Sequence, residues 1–152
     1  MRNHGNLKNS MVMDSDQIIT KQRKIIKIKC VLNCKSFGIY AGQCKLCDAI
    51  YVGQTKNEFR VRWNNHRSTW RRLARSKTTN VKEDDLNDEK ALFLHYAKHH
   101  PDEIQKRDFS ETFWVFFLES PNFYQLDVAE SFWISKLNAD INIMKTFLPK
   151  IK

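Results

Sequence analysis

The sequence predicts an α+β fold, a small antiparallel sheet with helices packed on it. Three observations carry this. Two short Gly- and Tyr-bearing runs, Phe37 to Ala41 and Ala49 to Val52, flank Gly42-Gln43-Cys44-Lys45-Leu46-Cys47-Asp48, which is the pattern of a β-hairpin. Thr112 to Glu119 is dominated by Phe, Trp, Val and Leu and reads as a buried strand. Helical patterns fill the remainder, giving the order strand, strand, helix, helix, strand, helix, for which a sheet covered by helices is the natural solution.

The elements follow in chain order. Residues 1 to 20 are rich in Asn, Ser and Asp with little periodicity, and residues 1–29 as a whole are expected to be a polar, basic and mobile tail. Within it, Lys21 to Lys29 contains Ile25, Ile26 and Ile28 and reads either as an edge strand or as a basic arm. The folded domain is expected over 30–152. Asn57 to Ala74 is the clearest helix: Phe59, Trp63, Trp70 and Leu73 make one apolar stripe. Arg62 and His66, four apart, share one edge of that stripe, while Arg60, Arg67 and Arg71 project on roughly the opposite side. That outer row is a solvated face or a grip for phosphates. Ser76 to Glu89 is polar and reads as a loop or insertion. Lys90 to His99 is helical again and is stopped by Pro101. After Ser120-Pro121-Asn122, the residues Leu126, Ala129, Trp133 and Leu137 mark a last helix from about Tyr124 to Asn138.

A chain of 152 residues with 41% hydrophobic content is long and apolar enough for one domain with a real core. The net charge of +9 favours a polyanionic partner, or is simply that of a soluble basic protein. No apolar run reaches the roughly 18 residues of a membrane span, and Met1 to Thr20 has no signal-peptide core, so an intracellular location is expected. The four cysteines, Cys30, Cys34, Cys44 and Cys47, then read as metal ligands or free thiols rather than a disulfide framework.

Gly38-Ile39-Tyr40 and Tyr51-Val52-Gly53, followed in order by Arg62-x-x-x-His66, Glu130 with Trp133-Ile134, and Asn142, resemble the signature of the GIY-YIG endonucleases, with Val52 where Ile is usual. The resemblance spans about residues 34 to 147. It implies a three-stranded antiparallel sheet flanked by helices and a Mg²⁺-dependent DNA endonuclease that nicks one strand per active site. It further implies that Tyr40 helps activate the attacking water, that Tyr51 and Arg62 orient and stabilise the phosphate, that Glu130 holds one divalent cation near the leaving oxygen, and that Asn142 supports the site. In a eukaryotic host, the nucleus would be the place of action.

The residues themselves suit this chemistry. A Tyr serves as a base only beside a cation that favours phenolate. Arg62 offers a permanently charged fork matched to phosphate, and His66 can hydrogen-bond a tyrosine or pass a proton near neutral pH. Either Tyr40 or His66 is the proton acceptor. Glu130, set amid apolar residues, is a hard oxygen ligand of the kind Mg²⁺ takes, or else the partner of an Arg. Gly53 permits a tight turn after its strand and leaves room beside the substrate, and Gly38 opens the first tripeptide.

Cys44-x-x-Cys47 has the spacing of a zinc knuckle, for which His95, His99 and His100 supply partners. His95 and His99 share a face of an unbroken helix, whereas His95 and His100 fit if the helix frays before Pro101. A four-cysteine ribbon of Cys30, Cys34, Cys44 and Cys47 is the competing site. The Cys-Cys-His-His arrangement resembles the GIY-YIG domains of Penelope-like retroelements, which favours His100; no reverse transcriptase accompanies it here. Structural zinc and catalytic Mg²⁺ or Mn²⁺ are therefore the expected metals, and DNA the expected partner. The rival readings are a non-catalytic nucleic-acid-binding module of the same fold and a zinc-stabilised domain that binds an acidic protein.

Overall fold

A computed structural model of the chain describes residues 17–28, 37–75 and 90–142. Its elements are β1 (Gln17–Ile19), β2 (Ile25–Lys27), β3 (Gly38–Cys44), β4 (Ile50–Thr55), α1 (Phe59–Arg75), α2 (Ala91–His99), β5 (Phe113–Glu119) and α3 (Leu126–Leu137), with short 3-10 turns before and after β5. The fold is α+β. A three-stranded antiparallel sheet runs β4-β3-β5, with β3 in the centre, and β1 pairs with β2 in a separate antiparallel hairpin.

Side chains alternate across a strand, so each face of this sheet has its own core. Tyr40 and Cys44 of β3, Tyr51 of β4 and Phe113, Val115 and Phe117 of β5 pack with α1 and α2 through Phe59, Trp63, Trp70, Leu92 and Phe93. Ile39, Ala41, Ile50, Val52, Phe116 and Leu118 face the other way and pack with Leu126, Ala129, Trp133 and Leu137 of α3. Having both faces covered explains why the strands read as apolar runs rather than as clean alternation.

The tail expected over residues 1–29 is corrected for residues 17–28. These form the β1–β2 hairpin, whose Ile18, Ile26 and Ile28 are buried in the α3-side core. Burial of each stabilises by about 1.5–3 kcal/mol, enough to hold two three-residue strands that are marginal alone. Gln43 ties the hairpin down by donating to the Ile19 carbonyl at 2.8 Å, and Lys21 pairs with Asp140 at 2.5 Å. The edge-strand reading of Lys21 to Lys29 is thus met by β2. Residues 1–16, Lys29, Cys30, Cys34 and the polar stretch 76–89 lie outside the described residues.

The hairpin of β3 and β4 is longer than the sequence pattern suggests, because β3 continues through Gly42 and Gln43 to Cys44. The connection is correspondingly tight, closed by Cys44 N–H to the Ala49 carbonyl at 2.8 Å, with Asp48 left-handed at φ 65°. The last helix begins at Leu126 and ends at Leu137, terminated by Asn138 with its left-handed φ of 53°. Tyr124, expected as its first residue, is 92% exposed in the preceding 3-10 turn. Among the described residues no helix is long and apolar enough to cross a membrane.

Candidate active site and metal centre

Tyr40 stands at the middle of the first cluster. Its hydroxyl lies 2.9 Å from His66 Nε2 and accepts from Arg62 Nε at 3.3 Å. The helical spacing of Arg62 and His66 brings both to one phenol, as their shared face requires. Tyr40 and His66 are buried, whereas Arg62 is half-buried and lines a cleft of about 370 Å³ together with Gln54, Thr55, Lys56, Asn57, Val61 and Asn65. Tyr51 packs beside this group, its ring centroid 6.2 Å from that of Tyr40 and 5.7 Å from that of His66. Burial works against the charge of Arg62, but the facing oxygens of Tyr40 and Tyr51 more than offset it and raise the guanidinium pKa.

Gly53 makes this packing possible. A Cβ there would lie 2.5 Å from the Tyr40 hydroxyl and 2.8 Å from the Tyr51 ring. Gly38 answers to the backbone instead: its φ of 142° is a glycine conformation, and a Cβ would run into the Glu119 carbonyl. Next to it, a register shift between β3 and β5 at Ile39/Tyr40 re-aims Tyr40 relative to its neighbours.

Glu130 lies on α3, across the sheet from the tyrosines. Its Oε1 accepts from Gln54 Nε2 at 2.8 Å, and the same nitrogen donates to Asp127 Oδ1 at 2.7 Å. Gln54 also lines the cleft that holds Arg62, so β4 joins the two halves of the candidate site at its end. Asn142 acts further back. Its Oδ1 accepts the Val52 N–H and its Nδ2 donates to the Val52 carbonyl, both at 2.8 Å, in imitation of a neighbouring strand. The Ile141 N–H and the Asp140 carboxylate bond the Ile50 carbonyl and N–H in the same way. Asn142 therefore reaches the site through β4 and not by contact with the cleft.

The outer arginines are less available than the spacing implies. Arg60 pairs with Glu58 at 2.6 Å, Arg67 donates to the Asn64 side chain, and Arg71 pairs with Asp108 at 3.5 Å. Arg60 and Arg67 are also half-buried. The crest of α1 is instead Val61, Asn65, Ser68 and Arg72, all exposed, and it starts at the cleft.

The candidate metal centre lies at the other end of the β3–β4 hairpin. Cys44, Cys47, His95 and His100 place one donor atom each within 4.8 Å of one another, a group that could hold a metal ion. Cys47 Sγ is 3.3 Å from His95 Nε2, and Cys44 Sγ is 3.7 Å from His100 Nε2. The choice between His99 and His100 follows from the helix end. α2 stops at His99, and His100 turns out with φ −139° and ψ 51°, which carries its ring to Cys44. His99 lies beside His95, its ring tilted and 5.0 Å away between centroids, without joining the group. Burial, and then the neighbouring His99 and His100 rings, push the His95 pKa down to about 4, so its imidazole is neutral at physiological pH. Burial pushes the Cys47 thiol up to about 11 in the absence of a cation. The Leu46 N–H donates to Cys44 Sγ at 3.4 Å, support of the kind a thiolate ligand takes. Two thiols and two imidazoles gathered this closely suit zinc.

Gln54, Asp127 and Tyr96 are absent from the sequence reading. The signal for the first two was present: Gln54 continues the α3-facing row of Ile50 and Val52, and Asp127 sits three residues before Glu130 on one helix face. Tyr96, which donates to the Thr112 carbonyl at 3.0 Å with Cys44 Sγ 3.6 Å away, is buried in the core. No known protein family, curated protein or solved structure matches this chain.

Proposed function

We propose that the protein is a Mg²⁺-dependent DNA endonuclease of the GIY-YIG type that nicks one strand per active site and is stapled by a structural zinc. The observation that carries the reading is the meeting of Tyr40, His66 and Arg62 at the wall of a cleft that Gln54 joins to Glu130. Glu130 fits a divalent cation, being a half-buried carboxylate of the hard oxygen kind that Mg²⁺ takes. Bound there, the cation would supply Lewis-acid relief of charge at the leaving oxygen.

The remaining work falls to side chains. Arg62 is the member of its cluster that lines the cleft, so its fork meets the phosphate and stabilises charge on the transition state. Its positive charge beside Tyr40 also favours the phenolate. Behind it, Tyr40 and His66 share a hydrogen bond along which the proton of the attacking water can pass. Basic charge on the chain, +9 overall, favours a polyanionic substrate.

Supercoiled plasmid tests the reading. The protein should convert it to open circles in Mg²⁺ and stop when chelator is added. Glu130→Ala should lower nicking by about 100-fold or more while DNA affinity changes little, because the lost interaction belongs to the transition state. Full activity of Glu130→Ala would remove Glu130 from the mechanism, and salt-sensitive binding without nicking would identify a non-catalytic nucleic-acid module.

A further inference from the structure

β4 presents Ile50 and Val52 to α3, and the next residue of that row is Gln54, where the apolar pattern gives way to an amide. Its two acceptors are both carboxylates, Glu130 at 2.8 Å and Asp127 at 2.7 Å. A carboxylate only accepts, so the amide must turn its NH₂ to both, one hydrogen to each. Asp127 and Glu130 lie three apart on α3 and would repel each other along that face without the donor between them. Gln54 meanwhile lines the cleft beside Arg62.

We propose that Gln54 is the positioning residue for Glu130, with Asp127 as its anchor. Asp127 takes one amide hydrogen and fixes the Gln54 rotamer, and the other hydrogen fixes the Glu130 carboxylate beside Gln54, which itself lines the cleft. Two acceptors on one NH₂ leave the amide a single orientation, which a lone hydrogen bond would not. Asp127 thus acts on the site through Gln54 rather than by holding a cation itself. This assignment rests on the endonuclease reading, and it adds to that reading the group that sets its carboxylate.

The test compares Gln54→Met, Asp127→Ala, Asp127→Asn and the Gln54→Met/Asp127→Ala double variant as full-length, zinc-loaded proteins. Mn²⁺ binding is measured by electron paramagnetic resonance, and kcat and KM are measured on plasmid. Gln54→Met keeps the side-chain length and removes the donor. It should weaken Mn²⁺ binding and lower kcat by about 10- to 100-fold, the range for groups that orient a metal ligand. KM for DNA, zinc content and melting temperature should stay near wild type. Asp127→Ala should act in the same direction but less, and the double variant should be no worse than Gln54→Met alone. Asp127→Asn, which still offers an oxygen acceptor, should behave as wild type.

Wild-type Mn²⁺ affinity and kcat in Gln54→Met would overturn the assignment while leaving the endonuclease reading intact. Additive losses in the double variant, or an Asp127→Ala loss larger than that of Gln54→Met, would overturn the role given to Asp127. Should Gln54→Met fail to fold, as zinc content and melting would reveal, the Asp127→Ala and Asp127→Asn pair still decides: equal values in the two overturn the anchor. A wild-type protein that neither binds Mn²⁺ nor nicks plasmid would bring down the endonuclease reading and this one with it.

Discussion

Gly53 holds open the space in which the Tyr40 hydroxyl meets His66 and Arg62. Gly53→Ala would push a methyl into that oxygen and the Tyr51 ring, and both rings are packed on all sides. Overpacking of this kind costs about 1–3 kcal/mol, which a denaturant melt will register. Nicking should fall further than stability does, because the phenol must leave its partners to make room. Stability lost without any extra loss of turnover would mean that the Tyr40 contacts do not serve the reaction. Residues of this cluster were legible in the sequence because simple periodicities place them: strand alternation puts Tyr40 and Tyr51 on one face, and the i, i+4 step puts Arg62 and His66 beside them. Gln54 continues a legible row, but a polar residue at a strand end is ordinarily solvent-facing, and the packing of α3 shows what it holds. His100 was open until the end of α2 was known, since one further helical residue would have carried its ring elsewhere.

At the scale of the element, α1 carries three jobs on three faces. Phe59, Trp63, Trp70 and Leu73 bury it, Arg62 and His66 serve the tyrosines, and the crest of Asn65, Ser68 and Arg72 runs from the cleft over solvent. Arg60, Arg67 and Arg71 already have acceptors in Glu58, Asn64 and Asp108. A strand leaving the cleft should therefore meet Arg72 before it meets the flank. Arg72→Ala should reduce the slope of log affinity against log salt by about 1, the signature of one lost phosphate contact. The triple variant Arg60→Ala/Arg67→Ala/Arg71→Ala should change that slope less per charge removed. Filter binding across a salt series decides, and the reverse ranking would return the flank to the interface. The helix was legible from its aromatic stripe. The β1–β2 hairpin was not, because Ile19 and Ile25 are exposed and its stability comes from Ile18, Ile26 and Ile28 meeting strands far along the chain.

Taken whole, the molecule is a short sheet clothed on both faces and closed at two ends. At one end the Cys44, Cys47, His95 and His100 group would staple α2 to the hairpin, so metal affinity becomes folding stability. Protein purified without added metal should carry one zinc per chain by elemental analysis. Cys47→Ser should lose it and melt about 10 °C lower, as removal of a few kcal/mol implies for a chain of this size. Cys30→Ser and Cys34→Ser should retain it; their losing the zinc while His95→Ala and His100→Ala keep it would install the four-cysteine site. At the other side of the sheet, the Ile50 and Val52 backbone groups that an outer strand leaves bare are taken up by Ile141, Asp140 and Asn142. Bare edges invite a second chain to add itself by β-augmentation, the route to aggregation. Here one carboxylate, one amide side chain and one peptide N–H impersonate that visitor, so the strand bearing Tyr51, Gly53 and Gln54 is shielded along Ile50 and Val52 from recruitment by a stranger.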